Sequence, residues 1–232
     1  MLDLQSTNLM DMWIKEKTNS FLKNVNKNMD EYKLYKIHNF IMDFIDQLTN
    51  WYIKLNRDRL KGLIDNNNSQ ESLATLYQVL WKFNIIMAPF TPFFSEYIYQ
   101  ELNRNKKIIS VHHLQYPKHD ISLNSEIERQ MNRMQQVIDL TRKLKTSLEI
   151  SLSFPVKKVT ICHANKEWQK DIEFLKEYII SESTIIELEI KDINEFVNFV
   201  IQPNLGNIGK QFRKESGNVV KLIKQAKIDS IK

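Results

Sequence analysis

Lys54, Arg57, Arg59 and Lys61 place four cations in one short segment, NWYIKLNRDRLKG, which runs from Asn50 to Gly62. Lysine and arginine at that density suit phosphate oxygens, and the guanidinium plane also suits an unstacked base. Projected on a helix, Lys54, Arg57 and Lys61 are three and four residues apart and share one face. Asn50 extends that face by one turn. Arg59 sits to one side, and Asp58 can pair with Lys54 or Lys61. Trp51 and Leu55 lie on the neighbouring stripe, directed at a core. Spacing alone leaves a solvated charged face open beside an anion-binding ridge. A second stretch, KQFRKE, clusters Lys210, Arg213 and Lys214 at the start of the last predicted helix, with Lys221 and Lys224 further on. The same two readings apply there.

Other chemistry is sparse. The sequence has no glycine-rich phosphate loop, no dinucleotide fingerprint and no Gly-x-Ser-x-Gly elbow. His112 and His113 are adjacent, and on an extended segment they would face opposite ways rather than converge on a metal. His38 falls inside a helical pattern and reads as a surface or edge histidine. Cys162 is the single cysteine. It closes a strand-like run and reads as a small core side chain in a reducing compartment. No catalytic residue and no metal site are expected.

The elements that must position the cations follow from composition and period. Only 4 glycines and 5 prolines interrupt 232 residues, which favours helices over many short strands. The net charge of +5 is compatible with a polyanionic partner, although heavy use of Asn, Lys and Ile points to A/T-rich coding as one source of it. No signal-peptide pattern and no run of 18 apolar residues is present, so no membrane span is expected. A first helix is predicted over 10–25, with a weak interruption at Thr18-Asn19-Ser20. A second is predicted from Asp30 to Gly62, burying Leu34, Ile37, Ile41, Phe44, Ile45, Leu48, Trp51, Tyr52 and Leu55.

Asn68 with Glu71 suggests a capping box for a third helix. That helix would bury Leu73, Leu76, Tyr77, Leu80, Phe83 and Met87. Thr91-Pro92 opens a fourth, running to about Leu102. A short extended piece is expected at 108–114, then a charged helix over 124–148 with Ile127, Met131, Met134, Ile138 and Leu144 inward. Beyond Phe154 the period changes. FPVKKVTIC, TIIELEI and FVNFVIQ read as strands, NKEWQKDIEFLKEYII as a helix, and residues 205–226 as a final helix. The predicted fold is mainly α: a helical bundle over 1–120, a long connecting helix over 121–152, and a small α+β module (β-α-β-β-α) over 153–232.

The segment LTNWYIKLNRDRLKG resembles the anticodon-binding signature of class I aminoacyl-tRNA synthetases of the isoleucyl type. There Asn-Trp-Tyr-(Ile/Val)-Arg precedes a small or polar residue and a run of arginines. This chain keeps Asn50, Trp51, Tyr52, Ile53, Arg57 and Arg59. Lys54 stands where the family commonly has arginine, and Asp58 where many members have another, so the ridge carries less charge. MAPFTPFFSEYIYQEL is similar to the family segment that closes the next helical hairpin. SVHHLQYP and MNRMQQVIDLTRKLK resemble the pieces that follow, and FPVKKVTICH and IGKQFRK resemble the C-terminal extension of the eukaryotic-type enzymes. The order holds from about Ser6 to about Gln225. Valyl and leucyl relatives share parts of the first motif.

The resemblance implies the tRNA anticodon-binding region of a cytoplasmic isoleucine–tRNA ligase, holding the anticodon stem-loop through Asn50, Lys54, Arg57, Arg59 and Lys61. Lys210, Arg213 and Lys214 would form a weaker second surface. The two ATP-binding signatures of the class, of His-x-Gly-His and Lys-Met-Ser-Lys-Ser type, do not occur in the sequence. The expected chain is therefore a C-terminal portion without cofactor: a truncated gene product, a split-gene product or a free-standing derivative. ATP and magnesium would serve the parent enzyme's catalytic domain. Expected partners are tRNA and the catalytic and editing domains, with no membrane and no DNA. Two alternatives stay open: a protein-interaction module of a synthetase complex, and the equivalent region of a valyl or leucyl relative.

Overall fold

The computed structural model describes residues 6–103, 109–118, 125–193, 203–212 and 215–225. Among them the fold is mainly α, with one two-stranded parallel sheet.

Helix α1 (Leu9–Asp30) starts where the Asn8 side chain accepts the amide of Met10 at 2.9 Å. Met10, Trp13, Ile14, Phe21, Leu22 and Val25 all turn inward. The helix runs unbroken through Thr18-Asn19-Ser20, where polar residues interrupt its apolar stripe. The Thr18 hydroxyl donates back to the Ile14 carbonyl at 2.7 Å, which lets this polar residue lie buried inside the helix. Tyr32, in the left-handed region at φ 55°, turns the chain into α2 (Leu34–Asp46).

Helix α2 continues into a π-helical turn (Gln47–Ile53), breaks at Asn56, and resumes as the short α3 (Arg57–Leu60). The predicted single helix is thus three pieces. Buried Asn56 marks the break: its side-chain amide donates to the Tyr52 carbonyl at 2.8 Å. Gly62 then leaves the segment at φ +72°, the conformation its missing Cβ permits. Leu34 and Ile45, expected inside, are exposed.

Helix α4 (Asn66–Met87) is capped by Asp65, which accepts the Asn68 amide at 3.3 Å. The expected Asn68–Glu71 box does not form, because the helix starts earlier and Asn68 lies within its first turn; the Asn68 side chain accepts from Arg59 at 2.7 Å and the Glu71 carboxylate from Ser6 at 3.1 Å. The inward face of α4 carries Ser69, Ser72, Thr75, Val79 and Ile86, while Leu73 faces out. Pro92 opens α5 (Pro92–Leu102) as predicted, but the Thr91 hydroxyl donates to Met87 at 3.3 Å instead of capping.

Within the expected extended piece at 108–114, of which residue 108 lies outside the described residues, the chain forms a single 3-10 turn (Val111–His113). Glu96 of α5 holds it by accepting from Ser110 and from the amide of Val111, at 2.8 and 3.0 Å.

Helix α6 (Ser125–Ser147) buries Ile127, Met131, Met134, Val137 and Ile138. Predicted Leu144 is exposed, and its neighbour Lys145 is buried instead. Strand β1 (Val156–Cys162) leads into α7 (Lys166–Phe174) and α8 (Lys176–Ser183), two helices meeting at Leu175 where one was expected. Strand β2 (Ile185–Lys191) returns parallel to β1, with Val156 opposite Ile185 and Cys162 opposite Lys191. A parallel pair needs a long crossover, which α7 and α8 supply. The predicted third strand, 196–202, lies outside the described residues. The predicted final helix is two, α9 (Leu205–Phe212) and α10 (Ser216–Gln225). One hydrophobic cluster runs from Met10 in α1 through Trp51, Met131 and Ile138 to Ile179 and Leu188. It locks the sheet and its helices onto the bundle.

Candidate nucleic-acid interface

The two aromatic residues of NWYIKLNRDRLKG are anchors. Trp51 is buried, and the guanidinium of Arg142 from α6 stands 5.5 Å from its ring centre. Tyr52 is fully buried, and its hydroxyl donates to the Asp11 carboxylate at 2.7 Å. Burial is the main force raising the Tyr52 hydroxyl pKa, with the hydrogen bond to Asp11 next.

Asp11 is the hub beneath the ridge. It accepts from Ser6 at 2.6 Å, from Tyr52, and twice from Arg59, at 3.2 and 2.8 Å. Burial pushes its carboxyl up, but the hydrogen bonds from Arg59, Ser6 and Tyr52 outweigh that and hold it below the usual carboxylate range. Arg59 also donates to Asn68 and Asn56, at 2.7 and 2.6 Å.

The predicted cations therefore separate. Arg59 is buried and committed to Asp11, so it is not part of an exposed ridge. The ideal-helix projection put it to one side of the ridge; the break at Asn56 and the carboxylate of α1 turn it inward. Lys54 is exposed but paired with Glu182 of α8. Arg57 and Lys61 are exposed, with no side-chain partner among the described residues. Asn50 is exposed, and its amide donates to Asp46 at 2.7 Å. Lys210 is exposed on α9, whereas Arg213 and Lys214 lie outside the described residues.

Sequence reasoning missed Arg142, which stacks on Trp51 and bridges to Glu182 beside Lys54. It lies in the charged, family-like segment MNRMQQVIDLTRKLK, which singles out none of its several cations. It also missed Asp171 in α7, which accepts from Arg129, Gln130 and Arg133 of α6. His112 and His113 lie on the 3-10 turn, exposed like His38. Among the described residues no cluster of His, Cys, Asp or Glu could hold a metal ion. Cys162 is half-buried rather than a core residue.

A helix pinned from inside by a tyrosine and an arginine, with cations left on its outer side, suits a polyanion. Residues 11–161 match the family model described as the anticodon-binding domain of tRNA ligase. The chain belongs to that family. Beyond the matched region, similarity to whole ligases continues. The chain is 34% identical over 226 residues to a cytoplasmic isoleucine–tRNA ligase of Arabidopsis thaliana, covering 96% of this chain and 19% of the relative. It is 36% identical over 229 residues to that of Saccharomyces cerevisiae, covering 93% and 21%. To the isoleucine–tRNA ligase of Clostridium tetani it is 34% identical over 223 residues, covering 90% and 20%. The chain thus spans about a fifth of the length of the curated relatives it matches. Among the described residues no helix is long and apolar enough to cross a membrane.

Proposed function

We propose that this chain is the tRNA anticodon-binding part of an isoleucine–tRNA ligase and that it holds the anticodon stem-loop of the isoleucine tRNA in the cytoplasm. Membership of the anticodon-binding family supports the general reading. The names of its relatives support isoleucine over valine or leucine. The observation that carries the residue-level reading is the division of labour in one segment. Arg59 fastens α3 to α1 through Asp11, and its neighbours Arg57 and Lys61 stand exposed on either side.

In this reading Arg57 and Lys61 meet RNA phosphates, and exposed Lys210, with Arg213 and Lys214 close to it in sequence, supplies a second, weaker set of cations. Asn50 faces the anticodon bases or supports the helix through Asp46. Unstacked bases supply specificity, and phosphate neutralisation supplies affinity that falls with salt. Amino-acid activation with ATP and magnesium belongs to a catalytic domain, with an editing domain as further partner. An ATP–pyrophosphate exchange assay on the 232-residue chain alone is expected to show no turnover.

Filter binding of the isoleucine tRNA at two salt concentrations tests the proposal. Wild-type affinity should drop as salt rises, and Arg57→Glu with Lys61→Glu should weaken binding by about tenfold or more at low salt. The far-ultraviolet circular dichroism should stay unchanged. Absent or salt-independent binding would instead favour a protein-interaction module.

A further inference from the structure

Three elements converge on one carboxylate at the edge of the proposed RNA surface. Lys54, just past the π-helical turn, and Arg142, from α6, both donate to the same oxygen of Glu182 in α8. Side-chain exposures are 53% for Lys54, 31% for Arg142 and 13% for Glu182. The two cations thus reach solvent while covering the anion between them. Arg142 has two further supports that do not depend on Glu182: the face of Trp51 at 5.5 Å, and Asp139 one turn earlier at 3.4 Å. Its guanidinium plane would stay in place if the carboxylate left.

Glu182 is the weak member of the trio. It sits in the last turn of α8, where the helix dipole is negative and disfavours a carboxylate. Two cations hold it there, against its own helix. A single carboxylate in that position is also a poor competitor for a polyanion, whose binding is driven by release of condensed counterions. A phosphodiester offers two acceptor oxygens, one for a lysine and one for a planar guanidinium, where Glu182 gives both cations a single oxygen.

We propose that Lys54 and Arg142 form a binding site for a backbone phosphate of the RNA, masked in the free protein by Glu182, which the phosphate displaces. The site rests on the anticodon-binding reading and extends it from Arg57 and Lys61 across to α6. Arg142 is then a contact residue, and Trp51 positions it. Glu182 acts as a gate on affinity: RNA that cannot place a phosphate at this point leaves the mask in place.

Binding of the isoleucine tRNA to the 232-residue chain, measured across a salt series, decides the matter. Glu182→Gln should bind about 3- to 10-fold more tightly at low salt, with a log–log salt slope steeper by about one. Arg142→Gln should weaken binding by a similar factor and make the slope shallower by about one. A merely structural Glu182 predicts a lower melting temperature with no gain in affinity. Unchanged or weaker binding by a folded Glu182→Gln overturns the site. If that variant does not fold, unchanged affinity and slope in both Lys54→Gln and Arg142→Gln overturn it equally. If wild type binds and Arg57→Glu weakens it while these variants do nothing, the anticodon-binding reading stands and the masked site falls. If wild type binds no tRNA at low salt, both fall together.

Discussion

Arg59 and Asp11, 48 positions apart in the chain, form a buried two-point ion pair in which the guanidinium donates to both carboxylate oxygens, at 3.2 and 2.8 Å. The pair ties α3 to the first turn of α1. Breaking it from the Asp11 side leaves the buried guanidinium with only the neutral Asn56 and Asn68 acceptors and no counter-charge. Asp11→Asn should therefore cost about 3–5 kcal/mol of stability, as single-partner losses in buried pairs do. Urea denaturation checks this, and a variant as stable as wild type would show that the pair anchors nothing.

Trp51→Ala removes a buried indole from the cluster that joins the bundle to the sheet, and removes the ring beneath Arg142. A loss of about 3–5 kcal/mol is expected for a large aromatic truncation. An unchanged thermal melting curve would place Trp51 outside the core.

Lys145 predicts a different kind of defect. Its buried ammonium donates to the carbonyls of Leu152, Phe154 and Ser183, at 3.2, 2.9 and 2.8 Å, with Thr184 at 3.4 Å. The segment after α6 and the α8–β2 corner are pinned to one side chain. Lys145→Met leaves those carbonyls short of a donor, at about 1–3 kcal/mol for each one stranded away from water. Hydrogen exchange should show lost protection in β1 and β2, with α1 and α4 still protected. Uniform protection throughout would refute the pinning.

Acid should destabilise the fold through Asp11 and Asp171. At Asp171 burial raises the carboxyl, and hydrogen bonds from Arg129, Gln130 and Arg133 outweigh it, so its pKa is lowered, as at Asp11. Between the folded and unfolded values the unfolded chain binds more protons, so stability falls as pH falls. The contribution is complete above about pH 5 and drains away as pH drops below about 4. Melting temperatures from pH 6 to pH 3 should trace that decline, and Asp171→Asn should flatten it. At the alkaline end, burial pushes the Tyr116 hydroxyl up to about 12. Stability should be intact below about pH 10 and fall as pH climbs toward that value.

Much of the architecture was legible in the residues. The run of Trp13, Ile14, Phe21, Leu22 and Val25 announced α1, Pro92 announced α5, and the switch to alternation at Val156 announced β1, all through side-chain period alone. Gly62 marked the end of the cationic segment because few other residues take a positive φ. Less legible was the interior of long elements. The break at Asn56 depends on a side chain bonding its own preceding turn, and the Asn68–Glu71 cap fails because Asp65 caps the helix three residues earlier and leaves Asn68 inside it.

Residue types and spacing by themselves determined that a cationic helix would be set against an aromatic anchor. They could not determine which cation stays outside. Arg57 and Arg59 are the same side chain two positions apart, yet one is exposed and the other buried against a carboxylate from α1. Lys54 and Arg142 are joined by a carboxylate 128 and 40 positions away. Helical period is local, so it can be read along the chain. Charge pairing depends on which distant carboxylate tertiary contact delivers, so only the folded molecule decides it.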